Sequence, residues 1–445
     1  MILIKDPEII NEGKKYRASV LIRGDQIDSI FTGEIPLEIK RKAQIIDAQG
    51  QWLLPGIIDD QVHFREPGLT HKGDLRSESR AAIAGGVTTF MDMPNTMPQT
   101  TTVAALDEKF DRAAETSLAN YTFFIGATND NLPELKKPGA HRAAAVKVFM
   151  GASTGNMLVD DASTLERIFG EVDMLIAAHC ESEPVIKRNI SYFTSLFGEA
   201  LDITFHPKIR SEEACYASSS EAVALAEKHQ ARLHLFHLST ARELGLLSDR
   251  PLQDKKITAE VCIHHLWFTD TDYARLGNRI KWNPSIKTVH DRTRLREALT
   301  DGRLDIVATD HAPHLLSEKT GSCLRAASGG PMVQHALIVM LEMCRQGIFS
   351  PELVVRKMCH APAELFRIKK RGYVREGYFA DLVLVDPNCR WTVSKHNLLY
   401  KCGWSPLEGE TFSHQVVKTF VNGNLVYEKG VVDENFRGKE IEFNN

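Results

Sequence analysis

The side chains of this sequence able to do chemistry form one ordered set: Asp59-Asp60-Gln61-Val62-His63-Phe64-Arg65, Asp92-Met93-Pro94-Asn95, Lys147, His179, His237, His264 and Asp310-His311-Ala312-Pro313-His314. Histidine nitrogen and carboxylate oxygen are donors that zinc takes, and a set that binds the ion from one side leaves a coordination position for water. That composition points to a catalytic metal, and neither a Ser nucleophile elbow nor an HExxH helix competes with it. A single histidine after a strand is ordinarily a hydrogen-bonded core or surface residue; recurrence at strand after strand is not explained that way. Lys147 is the odd member, because an ammonium beside a divalent cation is repelled and a buried lysine is costly. It must be neutralised or modified, unless it is a barrel lysine held in an ion pair.

What must position these groups is a series of short apolar runs: residues 56–59, 87–91, 121–125, 145–149, 174–178, 233–236, 257–262 and 305–308. Helical stretches separate them, as where Ala222, Leu225 and Ala226 fall at i, i+3, i+4 beside Glu221, Glu227 and Lys228. Strand and helix alternating eight times predict an α/β fold, a (β/α)₈ TIM barrel whose site forms at the C-terminal ends of the strands. No GxGxxG follows any run, which tells against a dinucleotide fold. Outside the barrel, residues 18–22 and 27–31 flank Arg23-Gly24-Asp25, and residues 416–421 and 425–427 flank Asn422-Gly423, while 380–385 is a further apolar strand. Both flanks therefore read as all-β. The expected division is 1–54 and 371–445 as two parts of a small β-sandwich, with 55–370 as the barrel.

The bulk properties suit a soluble enzyme. Of 445 residues, 43% are apolar and 25% charged, enough for a full core. Lys and Arg total 54 against 58 Asp and Glu, a formal charge of −4 that leaves no basic surplus for nucleic acid. The opening MILIKDPEII has neither a cationic n-region nor an apolar h-region, and no run is long enough to span a bilayer, so a cytoplasmic, non-membrane protein is expected. The eight cysteines contain no CxxC pair, which fits reduced thiols.

The segments resemble those of the dihydroorotases, metal-dependent cyclic amidohydrolases, along the whole chain. His63-Phe64-Arg65-Glu66-Pro67-Gly68 is similar to the family's HxREPG, Met93-Pro94-Asn95-Thr96 to its MPNT, and Thr309-Asp310-His311-Ala312-Pro313-His314 to its TDHAPH. Phe236-His237-Leu238-Ser239-Thr240, Lys281-Trp282-Asn283-Pro284 and Gly377-Tyr378-Phe379-Ala380-Asp381-Leu382 also resemble family segments. The resemblance implies the pairing of the two flanks into the sandwich. It also implies one or two Zn²⁺ ions held by His63, Lys147, His179, His237 and Asp310, with Lys147 carboxylated and bridging and Asp310 as general acid/base. Arg65, Asn95 and His314 would hold a substrate carboxylate and Asn283 the ring; the backbone at Ser328 and Gly329 matches a further substrate stretch more loosely. The implied reaction is reversible cyclisation of carbamoyl-aspartate to dihydroorotate, by a homo-oligomer that can associate with aspartate carbamoyltransferase.

Physical reasoning supports these roles. Arg65 lies two residues beyond His63, so in an extended segment it projects to the same side and offers its fork to a carboxylate beside the metal; the alternative is a surface ion pair. One departure stands out: the family pattern begins HxHxR, and Gln61 replaces its first histidine. An amide is a much weaker zinc donor than imidazole. Either Gln61 ligates through its oxygen, or the first site is poorly filled, or the protein is an inactive relative that scaffolds aspartate carbamoyltransferase. Hydantoinase, dihydropyrimidinase and allantoinase are the enzymatic alternatives, with ring substrates that carry no carboxylate.

Overall fold

The computed structural model describes residues 1–151 and 157–444. Eight parallel barrel strands follow one another: β1 (Ile57–Val62), β2 (Val87–Asp92), β3 (Asn120–Phe123, continued by Ile125–Gly126), β4 (Val146–Phe149), β5 (Ile176–His179), β6 (Leu233–Leu235), β7 (Ile257–Cys262) and β8 (Ile306–Ala308). Each pairs in parallel with the next, as where Val146, Lys147 and Phe149 lie opposite Ile176, Ala177 and His179. A parallel bridge between Val62 and His311 closes the ring. These strands read as nearly continuous apolar runs because helices cover their outer faces while side chains fill the interior. No helix among the described residues is long and apolar enough to cross a membrane.

The two β flanks meet as expected. Leu382–Asp386 lies between Gln415–Val421 and Trp52–Pro55, antiparallel to both, within a seven-stranded sheet. Opposite it stands a four-stranded sheet formed by Gln26–Phe31, Ser19–Arg23, Ile2–Lys5 and Gln44–Asp47. Alternation along Leu382–Asp386 explains its wholly apolar sequence. Leu382 and Leu384 pack with Ile4, Val20 and Phe420 between the sheets, while Val383 and Val385 join the barrel-side core. The N-terminal flank is not purely β: Leu37–Lys42 forms a short helix with no buried residue. Glu38 in its first turn and Lys40, Arg41 and Lys42 in its last oppose the helix dipole, and so brief a turn leaves little periodicity to detect.

One buried ion pair fixes the entrance to the site. Lys109 Nζ lies 2.5 Å from Asp92 Oδ2 with both side chains sealed from solvent, and it also donates to the Met93 carbonyl at 2.8 Å. Asp92 Oδ1 accepts the Phe64 N–H at 2.7 Å, so the end of β2 holds the residue between His63 and Arg65. Lys109→Met strands a buried carboxylate and should cost about 3–5 kcal/mol. The check is the urea midpoint of unfolding. A midpoint equal to wild type would show that Asp92 finds its compensation elsewhere.

Candidate active site

A cavity of about 610 Å³ opens at the C-terminal ends of the strands, and every residue assigned a role from sequence lines it: His63, Lys147, His179, His237, Asp310, Arg65, Asn95, Asn283 and His314. Gln61, Ser328 and Gly329 line it as well. His63 and Asp310 just follow β1 and β8, Lys147 is the second residue of β4, His179 ends β5, and His237 follows β6 by two. Arg65, His237 and Asp310 adopt left-handed backbone, with φ of 72°, 39° and 43°. Such positions cost on the order of 1–3 kcal/mol each and persist where the surroundings hold them. Arg65 is thus not in the extended segment assumed from sequence. The turn nevertheless brings its guanidinium to the cavity.

Hydrogen bonds set the imidazole tautomers in favour of a cation. His63 Nδ1 lies 2.8 Å from Asn95 Oδ1; an amide oxygen accepts, so Nδ1 carries the proton and Nε2 turns its lone pair toward Asp310 Oδ1, 3.1 Å away. His179 Nε2 donates to Glu181 Oε2 at 3.0 Å, which leaves His179 Nδ1 as the lone-pair atom, 2.9 Å from His237 Nε2. Although burial pushes the Glu181 carboxyl up, Arg210 at 2.6 Å and His179 hold it down to about 2, so it is a carboxylate. A carboxylate behind an imidazole is the usual support of a metal-binding histidine. The buried His237 Nδ1 has no hydrogen-bond partner. The lone pairs of His63 Nε2 and His179 Nδ1, converging with a carboxylate oxygen of Asp310 and with the His237 ring, fit a divalent metal.

Lys147 is buried with no partner for Nζ, which sits 3.9 Å from the centre of the Phe236 ring and 4.8 Å from that of Phe149. Among the described residues it makes no ion pair, which removes the barrel ion pair as its explanation. Burial lowers its pKa to about 7. A lysine so placed is in part a free amine at neutral pH, the form that reacts with CO₂.

The opposite side of the cavity carries cations without enough anions. Arg65 Nη2 lies 3.0 Å from His314 Nε2 and Lys72 Nζ 3.1 Å from His314 Nδ1. Burial first, then Arg65 and Lys72, hold the His314 imidazolium far below the usual range, so the ring is neutral. A neutral imidazole can accept from only one of the two. Lys72 also pairs with Glu318 at 2.8 Å, whereas among the described residues Arg65 donates only to the Pro313 carbonyl besides the ring. Burial lowers the Arg65 pKa to about 10, which leaves it cationic. Lys319, fully buried, donates to the carbonyls of Lys281, Ala327 and Gly329 and so holds the strip that carries Ser328. Asn283 Oδ1 is buried without a partner, free to accept an N–H.

Other positions turn away. His264 stacks on Trp282 at 4.4 Å and 14° and does not line the cavity, because the helix Ile263–Trp267 starts directly after β7 and redirects the ring. His311 donates from Nε2 to Glu78 at 2.9 Å and accepts the Met332 N–H, which anchors the end of β8. Gln61 Oε1 accepts from the Cys262 thiol at 3.4 Å. Glu181, Arg210, Lys72 and Lys319 escaped the sequence reading; only the two-residue spacing of His179 and Glu181 hints at any of them.

The amidohydrolase family pattern matches residues 52–426. The chain is similar to the dihydroorotase of Methanosarcina acetivorans, 33% identical over 422 residues that cover 92% of this chain and 88% of that one. It is also 33% identical to the dihydroorotase of Halobacterium salinarum, over 95% of this chain and 96% of the other. Among solved structures, the L-hydantoinase (dihydropyrimidinase) of Arthrobacter aurescens superposes with a TM-score of 0.92 at 25% identity over 99% of both chains.

Proposed function

Because the chain belongs to the amidohydrolase family, and within it to the dihydroorotases, we propose that it interconverts N-carbamoyl-L-aspartate and (S)-dihydroorotate in de novo pyrimidine biosynthesis. The observation that carries this reading is the under-compensated pair of cations Arg65 and Lys72, bridged by the neutral His314 ring and facing a metal-donor set across one cavity. Dihydroorotate carries a ring carboxylate that compensates such a pair; an uncharged hydantoin or dihydropyrimidine does not.

The family is metal-dependent, and we assign Zn²⁺ to His63, Lys147, His179, His237 and Asp310, with Lys147 carboxylated as the bridge. When bound, the metal supplies Lewis acidity toward the amide carbonyl and water. The remaining steps belong to the protein. Arg65 and His314 fix the substrate carboxylate, and Asn95 offers its Nδ2, since its Oδ1 is engaged by His63. Asn283 Oδ1 accepts a ring N–H. In ring opening, water oxygen adds to the carbonyl carbon, the ring C–N bond breaks, and Asp310 carries the proton from water to the departing nitrogen. In cyclisation Asp310 takes the ureido proton and returns it to the hydroxyl that leaves as water. The test is carbamoyl-aspartate formation from dihydroorotate by purified protein with its metal content measured alongside.

Gln61 makes the two catalytic positions unequal. One would keep a single imidazole, His63, beside the Lys147 carbamate and Asp310; the other would keep two, His179 and His237, beside the carbamate. Stepwise loading is expected, with turnover after dialysis restored by added zinc, and Gln61→His should tighten the weak position without abolishing turnover. Fully active dialysed enzyme indifferent to zinc would instead require a one-metal mechanism.

Two other readings have specific support. The likeness to a hydantoinase favours an uncharged ring substrate, which a panel of dihydroorotate, hydantoin and dihydrouracil decides. Gln61 favours a non-catalytic subunit that scaffolds aspartate carbamoyltransferase; absence of turnover at saturating zinc would make it the better reading. For assembly, we infer a homo-oligomer from Tyr192, Leu196 and Phe197, exposed together on the helix Glu183–Phe197. The free thiols of all eight cysteines support a reducing compartment, the cytoplasm.

A further inference from the structure

A second cluster of ligand types lies deeper in the barrel and shares no residue with the catalytic set: Asp60 on β1, His234 on β6 and Glu260 on β7, each 0% exposed. Asp60 precedes His63 by three residues and His234 precedes His237 by three, roughly 10 Å toward the N-terminal ends of the strands. One donor atom from each of the three lies within 4.8 Å of the others.

Neighbouring bonds fix which atoms face the gap. His234 Nδ1 is 2.8 Å from Thr258 Oγ1, and that hydroxyl donates its own proton to the Leu233 carbonyl at 3.2 Å. Thr258 therefore accepts from Nδ1–H, and a neutral His234 presents the lone pair of Nε2 to the two carboxylates. Glu260 Oε1 accepts the His237 N–H at 3.1 Å, which leaves Oε2 toward the gap. Neither oxygen of Asp60 accepts a hydrogen bond. Nε2 lies 3.5 Å from Asp60 Oδ2 and 3.4 Å from Glu260 Oε2. Those gaps exceed the roughly 2.7–2.9 Å of a charge-assisted hydrogen bond. They match two donors placed about 2.1 Å from one tetrahedral ion, which stand roughly 3.4 Å apart.

We propose that Asp60, His234 and Glu260 bind a structural divalent transition-metal ion of the zinc class, separate from the catalytic pair. Asp60 Oδ2, His234 Nε2 and Glu260 Oε2 supply three donor atoms. Two carboxylates neutralise the ion, and Thr258 orients the imidazole as a supporting partner does at metal sites. Without the ion, the two carboxylates hold a proton on His234, raising its imidazolium to about 9 against the burial that lowers it, in a sealed interior that also holds Asp59, itself pushed up to about 7 mainly by burial. Through Glu260 Oε1 the ion braces the backbone of His237 from below. This assignment goes beyond the reaction proposed above and does not depend on it.

The test is anomalous diffraction from wild-type crystals grown without added metal, at the edge of whichever of manganese, iron, cobalt or zinc elemental analysis finds. A peak between the three side chains is expected, distinct from any near His63 or His179. In parallel, Asp60→Asn should lower the metal content by one equivalent per chain, whereas His179→Ala with His237→Ala should leave this ion in place after chelator dialysis. A map without that peak overturns the proposal and assigns the gap to a proton shared by His234 and the carboxylates. Folded Asp60→Asn, checked by circular dichroism, with wild-type metal content overturns it equally; if the variant does not fold, the map decides. Loss of turnover with the peak present would refute the enzymatic reading and leave this one standing.

Discussion

Lys147→Ala is expected to lower dihydroorotate ring opening at least about a thousandfold, roughly 4 kcal/mol of transition-state stabilisation. Among the described residues its buried nitrogen has no hydrogen-bond partner, only the faces of Phe236 and Phe149. In the proposed reading the neutral amine would attack CO₂, forming an N–C bond and releasing one proton to leave an anionic carbamate among the metal donors. Because burial brings the ammonium down to about 7, the reactive amine fraction grows as pH rises through that value. At fixed dissolved CO₂, reactivation of decarboxylated enzyme should therefore be faster at pH 8 than at pH 6. Short carboxylic acids should partly rescue the alanine variant by supplying the missing oxygens. Steady-state rates, metal content and intact mass check this together. An active, metal-loaded wild type whose mass shows no added CO₂ would refute the carbamate.

Arg65→Met should impair dihydroorotate far more than an uncharged dihydropyrimidine. Losing one partner of a desolvated charge pair costs about 2–5 kcal/mol, or about thirtyfold to several thousandfold in kcat/KM. Methionine keeps the unbranched stem to its fourth atom and removes the guanidinium, so the comparison between the two substrates reads charge and hydrogen bonding. The geometry sharpens the expectation, because His314 can accept from only one of Arg65 and Lys72 and the arginine has no carboxylate partner among the described residues. Equal losses on both substrates would mean that Arg65 acts through the Pro313 carbonyl, as a prop for the β8 loop.

The barrel and most of the polar lining of its cavity were legible because the strands are apolar runs followed by polar groups, a pattern set by burial on both faces. What escaped depends on pairings between distant positions. Glu181 meets Arg210 across 29 residues and Glu78 meets His311 across 233, and no local pattern encodes either. Asp60, His234 and Glu260 sit inside strand segments, where an ionisable residue reads as a flaw in the run. His264 shows the limit of counting: it stands beyond its strand much as His237 does, yet the helix that begins at Ile263 points it at Trp282. The left-handed turn at Arg65 is a backbone choice with no glycine to announce it.

Placing Leu382–Asp386 between Trp52–Pro55 and Gln415–Val421 has a consequence for biosynthesis. The strand Trp52–Pro55 emerges early, but its antiparallel neighbour follows only after the whole barrel has been made. At about 5–20 residues per second, that edge waits for some tens of seconds with unpaired backbone groups and Leu53 and Leu54 uncovered. An open apolar edge invites pairing with another chain. In the ribosome-bound intermediate this edge is therefore open to other chains, and a stop codon before Leu382 should yield aggregate, read by sedimentation, rather than a free-standing barrel.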